Sequence, residues 1–226
     1  MPINDLEPRL PTSFRLRLGH IMTNTNGKAR PAHLGGRIRV TSPYRPIIDK
    51  IRAAYEGDTV TAWESPEGPQ WETILPAVPL VVGIIPGQSL AQWWERWASG
   101  TCDRRCDGEH EWIHNVPCQC PPVEARMQAV DACRPVTRLS LLLPRLIEGP
   151  DALLAIGRLD SQGIIAATGL SASLDLVQAQ LDAGHVVRAT LTVRMRGNGA
   201  RQYVWPELVI SGRTLELTTT LRELPS

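Results

Sequence analysis

Apolar and polar residues alternate most regularly between positions 187 and 195, where Val187, Ala189, Leu191, Val193 and Met195 interleave with Arg188, Thr190, Thr192 and Arg194. A period of two places each set on its own face of a strand. Gly197-Asn198-Gly199 then predicts a hairpin turn into a partner over residues 203–210, and Pro206 predicts an edge or a bulge for that partner, because it has no amide to donate. Residues 36–41 alternate in the same way, Ile38 and Val40 against Arg37 and Arg39, and read as a half-exposed strand. Residues 59–63 and 70–74 flank the turn-rich Ser65-Pro66-Glu67-Gly68-Pro69 and predict a hairpin. A short apolar run over 80–85 suits a buried strand, and residues 137–143 and 152–159 predict two more, joined by a loop containing proline.

Helical spacing marks three further stretches. Ser42 followed by Pro43 is a start signal, Tyr44, Ile47, Ile48 and Ile51 form one stripe, and Gly57 stops it. Ser89-x-x-Gln92 has the form of a capping box, and behind it Leu90, Trp93, Trp94 and Trp97 recur at helical spacing up to Gly100. That stripe reads as a core face packing a neighbouring loop onto the body. A base-stacking platform is the alternative, but no basic residues interleave it. Residues 161–181 read as helix weakened at Gly163 and Gly169. Residues 1–36, rich in Pro, Gly, Asn and Arg, predict an extended arm partly ordered against the body. The sum is an α+β fold: a mixed or antiparallel sheet, a few packed helices and an inserted cysteine-rich module. The expected division is an arm (1–36), an N-terminal part of the body (37–100), the module (101–136) and a C-terminal part with the hairpin (137–226).

At 226 residues the chain can bury one substantial core with a small appendage. The expected location is the cytosol, since no secretory pattern opens the chain and no apolar run of membrane-spanning length occurs. A net charge of +1 argues against non-specific coating of nucleic acid, although residues 1–57 hold ten Lys/Arg against four Asp/Glu. No phosphate-binding P-loop, dinucleotide fingerprint or nucleophile elbow is present, so a nucleotide-handling or acyl-transfer enzyme is not expected.

All five cysteines, Cys102, Cys106, Cys118, Cys120 and Cys133, fall within one polar stretch. Thiols so spaced suggest a tetrahedral structural zinc, because thiolates suit that ion and the segment has little apolar surface to fold with. Four ligands are expected, with Cys102, Cys106 and Cys133 completed by Cys118 or Cys120. Free or disulfide-paired cysteines are the alternative, which an odd count fits badly. Inside the same stretch His110-Glu111-Trp112-Ile113-His114 matches H-E-x-x-H, where a helix would present two imidazoles to zinc as in a metallopeptidase. The other reading is a polar excursion of the module, lending at most one histidine to the metal. For a protein partner the candidate contacts are the hairpin residues Arg194, Arg196, Arg201, Tyr203 and Trp205, favoured over Arg30, Arg37 and Arg39 near the arm. The hairpin arginines, with Arg188, could form a phosphate-binding face, but a plain solvated surface is the commoner meaning, since arginines on exposed strands also blunt edges.

The order of motifs carries a resemblance. Asn26-Gly-Lys-Ala-Arg-Pro, Arg39-Val-Thr-Ser-Pro, Leu90-x-Gln-Trp-Trp and Cys102-Asp-Arg-Arg-Cys106-Asp-Gly are followed by Cys118-x-Cys120-Pro, Cys133-Arg-Pro-Val-Thr-Arg-Leu-Ser and Gly157-Arg-Leu-Asp-Ser-Gln-Gly163. Together they resemble the recombination directionality factors of actinobacterial phages that partner phiC31-type large serine integrases. The resemblance implies a non-catalytic protein that binds the integrase, in its coiled-coil region on attachment-site DNA, and turns it from integration (attP with attB) to excision (attL with attR). A zinc-containing DNA-binding protein is the competing reading, and a metallopeptidase a third. The HEWIH loop and the tail after Ile210 depart from the pattern.

Overall fold

A computed structural model of the chain describes residues 11–23, 29–65, 67–87, 89–129, 131–148, 150–197 and 203–215. The chain opens with strand β1 (Phe14–Arg17), a small hairpin of β2 (Gly19–Thr23) and β3 (Ala29–His33), and β4 (Ile38–Ser42). Helix α1 (Arg45–Tyr55) follows, then the hairpin β5 (Thr61–Ser65) and β6 (Gly68–Leu75), and strand β7 (Leu80–Ile84). Next come β8 (Leu90–Ala98), β9 (Thr101–Cys106), β10 (His110–Glu111), β11 (Val116–Pro117) and the single turn α2 (Val123–Arg126). The remainder is β12 (Arg134–Leu142), β13 (Ile156–Gln162), α3 (Ile164–Asp175), α4 (Gln178–Asp182), and the long hairpin β14 (Val186–Arg196) and β15 (Tyr203–Leu215). Helices are few and strands many, as an α+β chain built on a mixed sheet requires.

One sheet runs in the order β11-β10-β9-β8-β12-β13-β1-β4-β6-β5. It is antiparallel throughout except that β1 lies parallel to β13. Strand β12 forks it: from Arg134 to Leu139 it pairs with β8, whereas Leu141 and Leu142 pair on the same side with β7. Through β7 the sheet gains the β14–β15 hairpin. Alternation decides which face is core. Leu16, Val40, Leu139 and Leu159 share one face and are fully buried, where Ile48 and Ile51 of α1 and Leu170 and Leu174 of α3 join them in one cluster. The opposite face carries Arg15, Arg17, Arg39, Arg138, Arg158 and Asp160.

The helix α1 begins at Arg45 rather than Pro43: Ser42 remains in β4, and its hydroxyl accepts the Tyr44 amide and donates to the Ser13 carbonyl. Tyr44 is therefore outside the stripe, 61% exposed, and Tyr55 takes the inner position instead. Glu56 turns left-handed at φ 55° and the Gly57 amide closes the helix onto the Arg52 carbonyl. The expected hairpin of β5 and β6 and the strand β7 are present, and among the described residues β15 pairs only with β14, Pro206 facing Val193; the helix expected over 161–181 instead begins at Ile164, runs through Gly169 and breaks between Asp175 and Gln178. The Gly-Asn-Gly turn lies outside the described residues beyond Gly197.

Two expectations are corrected. Residues 89–100 are not a helix but the strand β8, whose Ser89 hydroxyl donates to the Ile85 carbonyl instead of capping a helix. Tryptophan is among the residues best suited to a pleated, half-buried surface, and here each edge of β8 meets a partner, β9 and β12. Tertiary pairing outweighs a four-residue spacing. The tryptophans are accordingly not core: Trp97 is 51% exposed. Second, the segment read as an arm contributes β1, an internal strand whose Phe14 and Leu16 are buried.

At one crossing the packing is close enough to be tested. A Cβ added at Gly157 would stand 2.2 Å from the Phe14 ring, one strand away. Gly157→Ala should destabilise the fold by about 1–3 kcal/mol, the usual cost of overpacking. Chemical denaturation would register it, and an unchanged midpoint would mean that Phe14 does not occupy this site.

Candidate metal centre

The three strands that carry the cysteine segment are tied by a carboxylate. Glu95 on β8 has a side chain with no exposure. Arg138 of β12 donates to both of its oxygens at 2.9 and 2.7 Å, Arg105 of β9 donates at 2.7 Å, and the Trp97 indole N–H at 2.9 Å. Burial opposes its charge, yet these donors hold its carboxyl below the usual range.

On the other face of these strands the thiols gather. Cys106 ends β9, Cys118 and Cys120 follow β11, and Cys133 immediately precedes β12. The sulfurs of Cys106, Cys120 and Cys133 all lie within 4.8 Å of one another, and Cys118 Sγ is 3.3 Å from Cys106 Sγ. The thiols of Cys118 and Cys133 also stand close enough to Cys120 to bear on its ionisation. A tetrahedral ion with metal–sulfur bonds of about 2.3 Å needs sulfurs about 3.8 Å apart, so Cys106, Cys120 and Cys133 could hold one with small adjustments, and Cys118 beside Cys106 is the candidate for the fourth position. Arg126 supports the fit. It is 3% exposed, its Nε donates to the Pro121 carbonyl, its guanidinium lies 4.4 Å over the Trp94 ring, and its Nη1 has no partner among the described residues. Four thiolates around a divalent ion carry an excess of negative charge, which a buried guanidinium beside Cys120 offsets. Arg134 orders the intervening loop by donating to the carbonyls of Arg126, Met127 and Ala129.

The thiols differ in readiness to ionise. Burial works against Cys120, but the Cys133 amide, the thiols of Cys133 and Cys118 and the Arg126 charge bring it down to about 7. Burial, then the Cys120 thiol, pushes Cys133 up to about 11, and burial with the Cys118 thiol pushes Cys106 well up.

Cys102 does not belong to this group. Four residues along a strand span about 13 Å, and a bulge between Arg96 and Trp97 puts Cys102 opposite Trp97 while Cys106 is opposite Trp94, on the other face of β8. Its sulfur is 3.4 Å from the Arg104 carbonyl instead. The C-x3-C spacing that marked Cys102 as a ligand is here a strand rather than a knuckle.

The H-E-x-x-H segment is likewise not a helix. His110 and Glu111 form β10, and a turn leads to β11. Glu111, 3% exposed, accepts the amides of Arg105, Ile113 and His114 and the His114 ring. Burial opposes its charge, but these donors lower its carboxyl to about 2. His110 Nε2 meets Asn115 Oδ1 at 3.0 Å, and neither histidine is among the clustered ligands. The peptidase reading is therefore withdrawn: its glutamate is a turn-forming acceptor.

With this geometry in place, comparison with known families is informative. A family model described as Gp3-like, recombination directionality factor-like, matches residues 15–211. The chain belongs to that family. No curated protein and no solved structure matches it. In this recombination directionality factor-like chain the matched span runs from β1 to β15 and includes every cysteine.

Of the candidate partner contacts, Arg196 and Tyr203 face each other across β14 and β15 and are exposed, Tyr203 by 66%. Arg194 stands opposite half-buried Trp205 and donates to Glu207 at 2.7 Å. Arg201 lies outside the described residues. Nearer the arm, Arg37 pairs with Asp58 and Arg39 is buried against Glu72; the Arg30 side chain is outside the described set. Among the described residues no helix is long and apolar enough to cross a membrane.

Two measurements follow from this geometry. Cys133→Ser should lose bound metal while Cys102→Ser keeps it, read by elemental analysis of protein purified without chelator; equal loss in both would return Cys102 to the ligand set. Glu111, with its carboxyl lowered in the fold, adds stability that is complete above its ordinary value near 4.5 and is lost as pH falls towards 2. Trp112 emission should report loosening of the turn over that interval, and Glu111→Gln should flatten this dependence.

Proposed function

We propose that this protein is an accessory factor that binds a large serine integrase of its phage and redirects it from joining attP and attB to joining attL and attR. The observation that carries the reading is the family match over residues 15–211. The protein itself performs no chemistry. It acts as a ligand that binds one arrangement of the integrase assembly better than another, and the direction of recombination shifts by that difference in binding free energy. Its near-neutral charge suits a protein partner more than a nucleic acid. The exposed Arg196 and Tyr203 at the end of the β14–β15 hairpin are the proposed contacts, and the coiled-coil region of the integrase the proposed target. Zinc is the proposed metal of the Cys106, Cys118, Cys120 and Cys133 set, with a structural role: when bound it supplies folding free energy to a segment poor in apolar residues.

Recombination by the purified cognate integrase on both pairs of sites tests this reading. Added factor should stimulate the attL with attR reaction from near zero and suppress attP with attB, with binding to integrase measurable in the absence of DNA. If neither reaction responds, or if the factor binds duplex alone with a steep salt dependence, a DNA-binding role replaces it.

A further inference from the structure

On the sheet face turned away from α1 and α3, one of the arginines beside β1 makes no ion pair among the described residues. Leu16, Val40 and Leu159 point into the core, so Arg15, Arg17, Arg39 and Arg158 emerge opposite. Arg15 pairs with Glu67, Arg39 with Glu72 and Arg158 with Asp160. Arg17 has no carboxylate within ion-pair distance among the described residues; its Nε donates to the Thr41 hydroxyl at 3.2 Å and its guanidinium lies 5.3 Å from the centre of the Trp63 ring. Arg39 lies over the same ring at 4.1 Å, so the indole is held between strands rather than left to rotate. Burial, then Arg15 and Arg39, weakens the hold of Arg17 on its proton, and the charges of Asp160 and Glu67 offset this only in part. Arg17, Arg39, Trp63 and Asp160 line an open cavity of about 520 Å³, with Leu18 and Val204 along its sides.

We propose that this cavity binds a peptide segment bearing one Asp or Glu beside an apolar residue, the carboxylate pairing with Arg17 and the apolar side chain resting against Leu18 and Val204. A guanidinium presents paired N–H groups that match a carboxylate, and a half-buried setting strengthens the contact. The surroundings argue against nucleic acid. Duplex DNA brings a charge about every 1.7 Å, whereas Asp160 lines this cavity and Arg39 at its wall is already paired with Glu72. One arginine outside any ion pair, beside one carboxylate, suits a single anion rather than a run of phosphates. The inference rests on this charge pattern and holds whether or not integrase is the partner.

The test uses the full chain and a synthetic Gly-Ser-Glu-Leu-Ser-Gly peptide, followed through the NMR signal of the Arg17 Nε–H group and by fluorescence anisotropy of the labelled peptide. The expected result is a saturable shift of that signal, with affinity about tenfold lower for the same peptide carrying Gln in place of Glu and for Arg17→Gln. Arg52→Gln, on the exposed side of α1, should bind as the unchanged chain does. Equal binding of the Glu and Gln peptides would overturn the proposal, as would no shift at all. A short DNA duplex perturbing the Arg17 signal more strongly than the peptide, with steep salt dependence, would reassign the site to phosphate. Should Arg17→Gln fail to fold, the Glu and Gln peptides on the unchanged chain still decide.

Discussion

The Glu95 carboxylate is the constraint on which the cysteine-bearing end of the molecule depends. It joins β8, β9 and β12 on one face while the thiols close the other, so the strands there are clamped from both sides without a large apolar core. Buried and fully bonded to Arg138 and Arg105, it is a pairing that contributes little over an apolar replacement but leaves stranded charges if broken. Such a group specifies register: a one-residue slip of β8 would turn Glu95 towards the core and break every one of these contacts. The thiol cluster inherits its geometry from that register, since Trp94 faces Cys106 only when Glu95 faces Arg105.

Much of the fold was legible from the residues because its alternation is strong. The β14 strand, the β5–β6 hairpin and α1 follow from patterns in which every local cue agrees. Strand β8 was not legible for a specific reason. Leu90, Trp93, Trp94 and Trp97 satisfy a helical period, and a buried glutamate in the alternate register looks like a solvated polar position until its arginines, ten and forty-three residues away, are brought alongside. Strand β1 is short, and its alternating Phe14, Arg15, Leu16 and Arg17 was masked by the Pro- and Gly-rich residues around it.

The thiol group was legible as a set but not in membership. C-x3-C reads as a turn that brings two sulfurs together, and only the pairing of β9 with β8, with its bulge, separates Cys102 from Cys106 by the width of the sheet. The role of Arg126 had no sequence signal, because an isolated arginine after two prolines resembles any surface residue. Glu111 shows the converse. Its motif suggested water activation, while its actual partners are three amides and an imidazole, which makes it an organiser of a turn.

The fork in β12 has a mechanical consequence. Because β8 and β7 claim successive lengths of the same strand edge, meeting between Leu139 and Leu141, the bonds to β8 can part from the Arg134 end without loosening those to β7. The molecule therefore has a built-in tear line. Force applied at the thiol end would part the sheet as far as Ser140, whose amide bonds the Ser89 carbonyl beyond the regular ladder, before it reached the seam with β7. Local opening of this kind is drawn from the least stable part of a structure, so the order in which backbone amides exchange with solvent should trace that line.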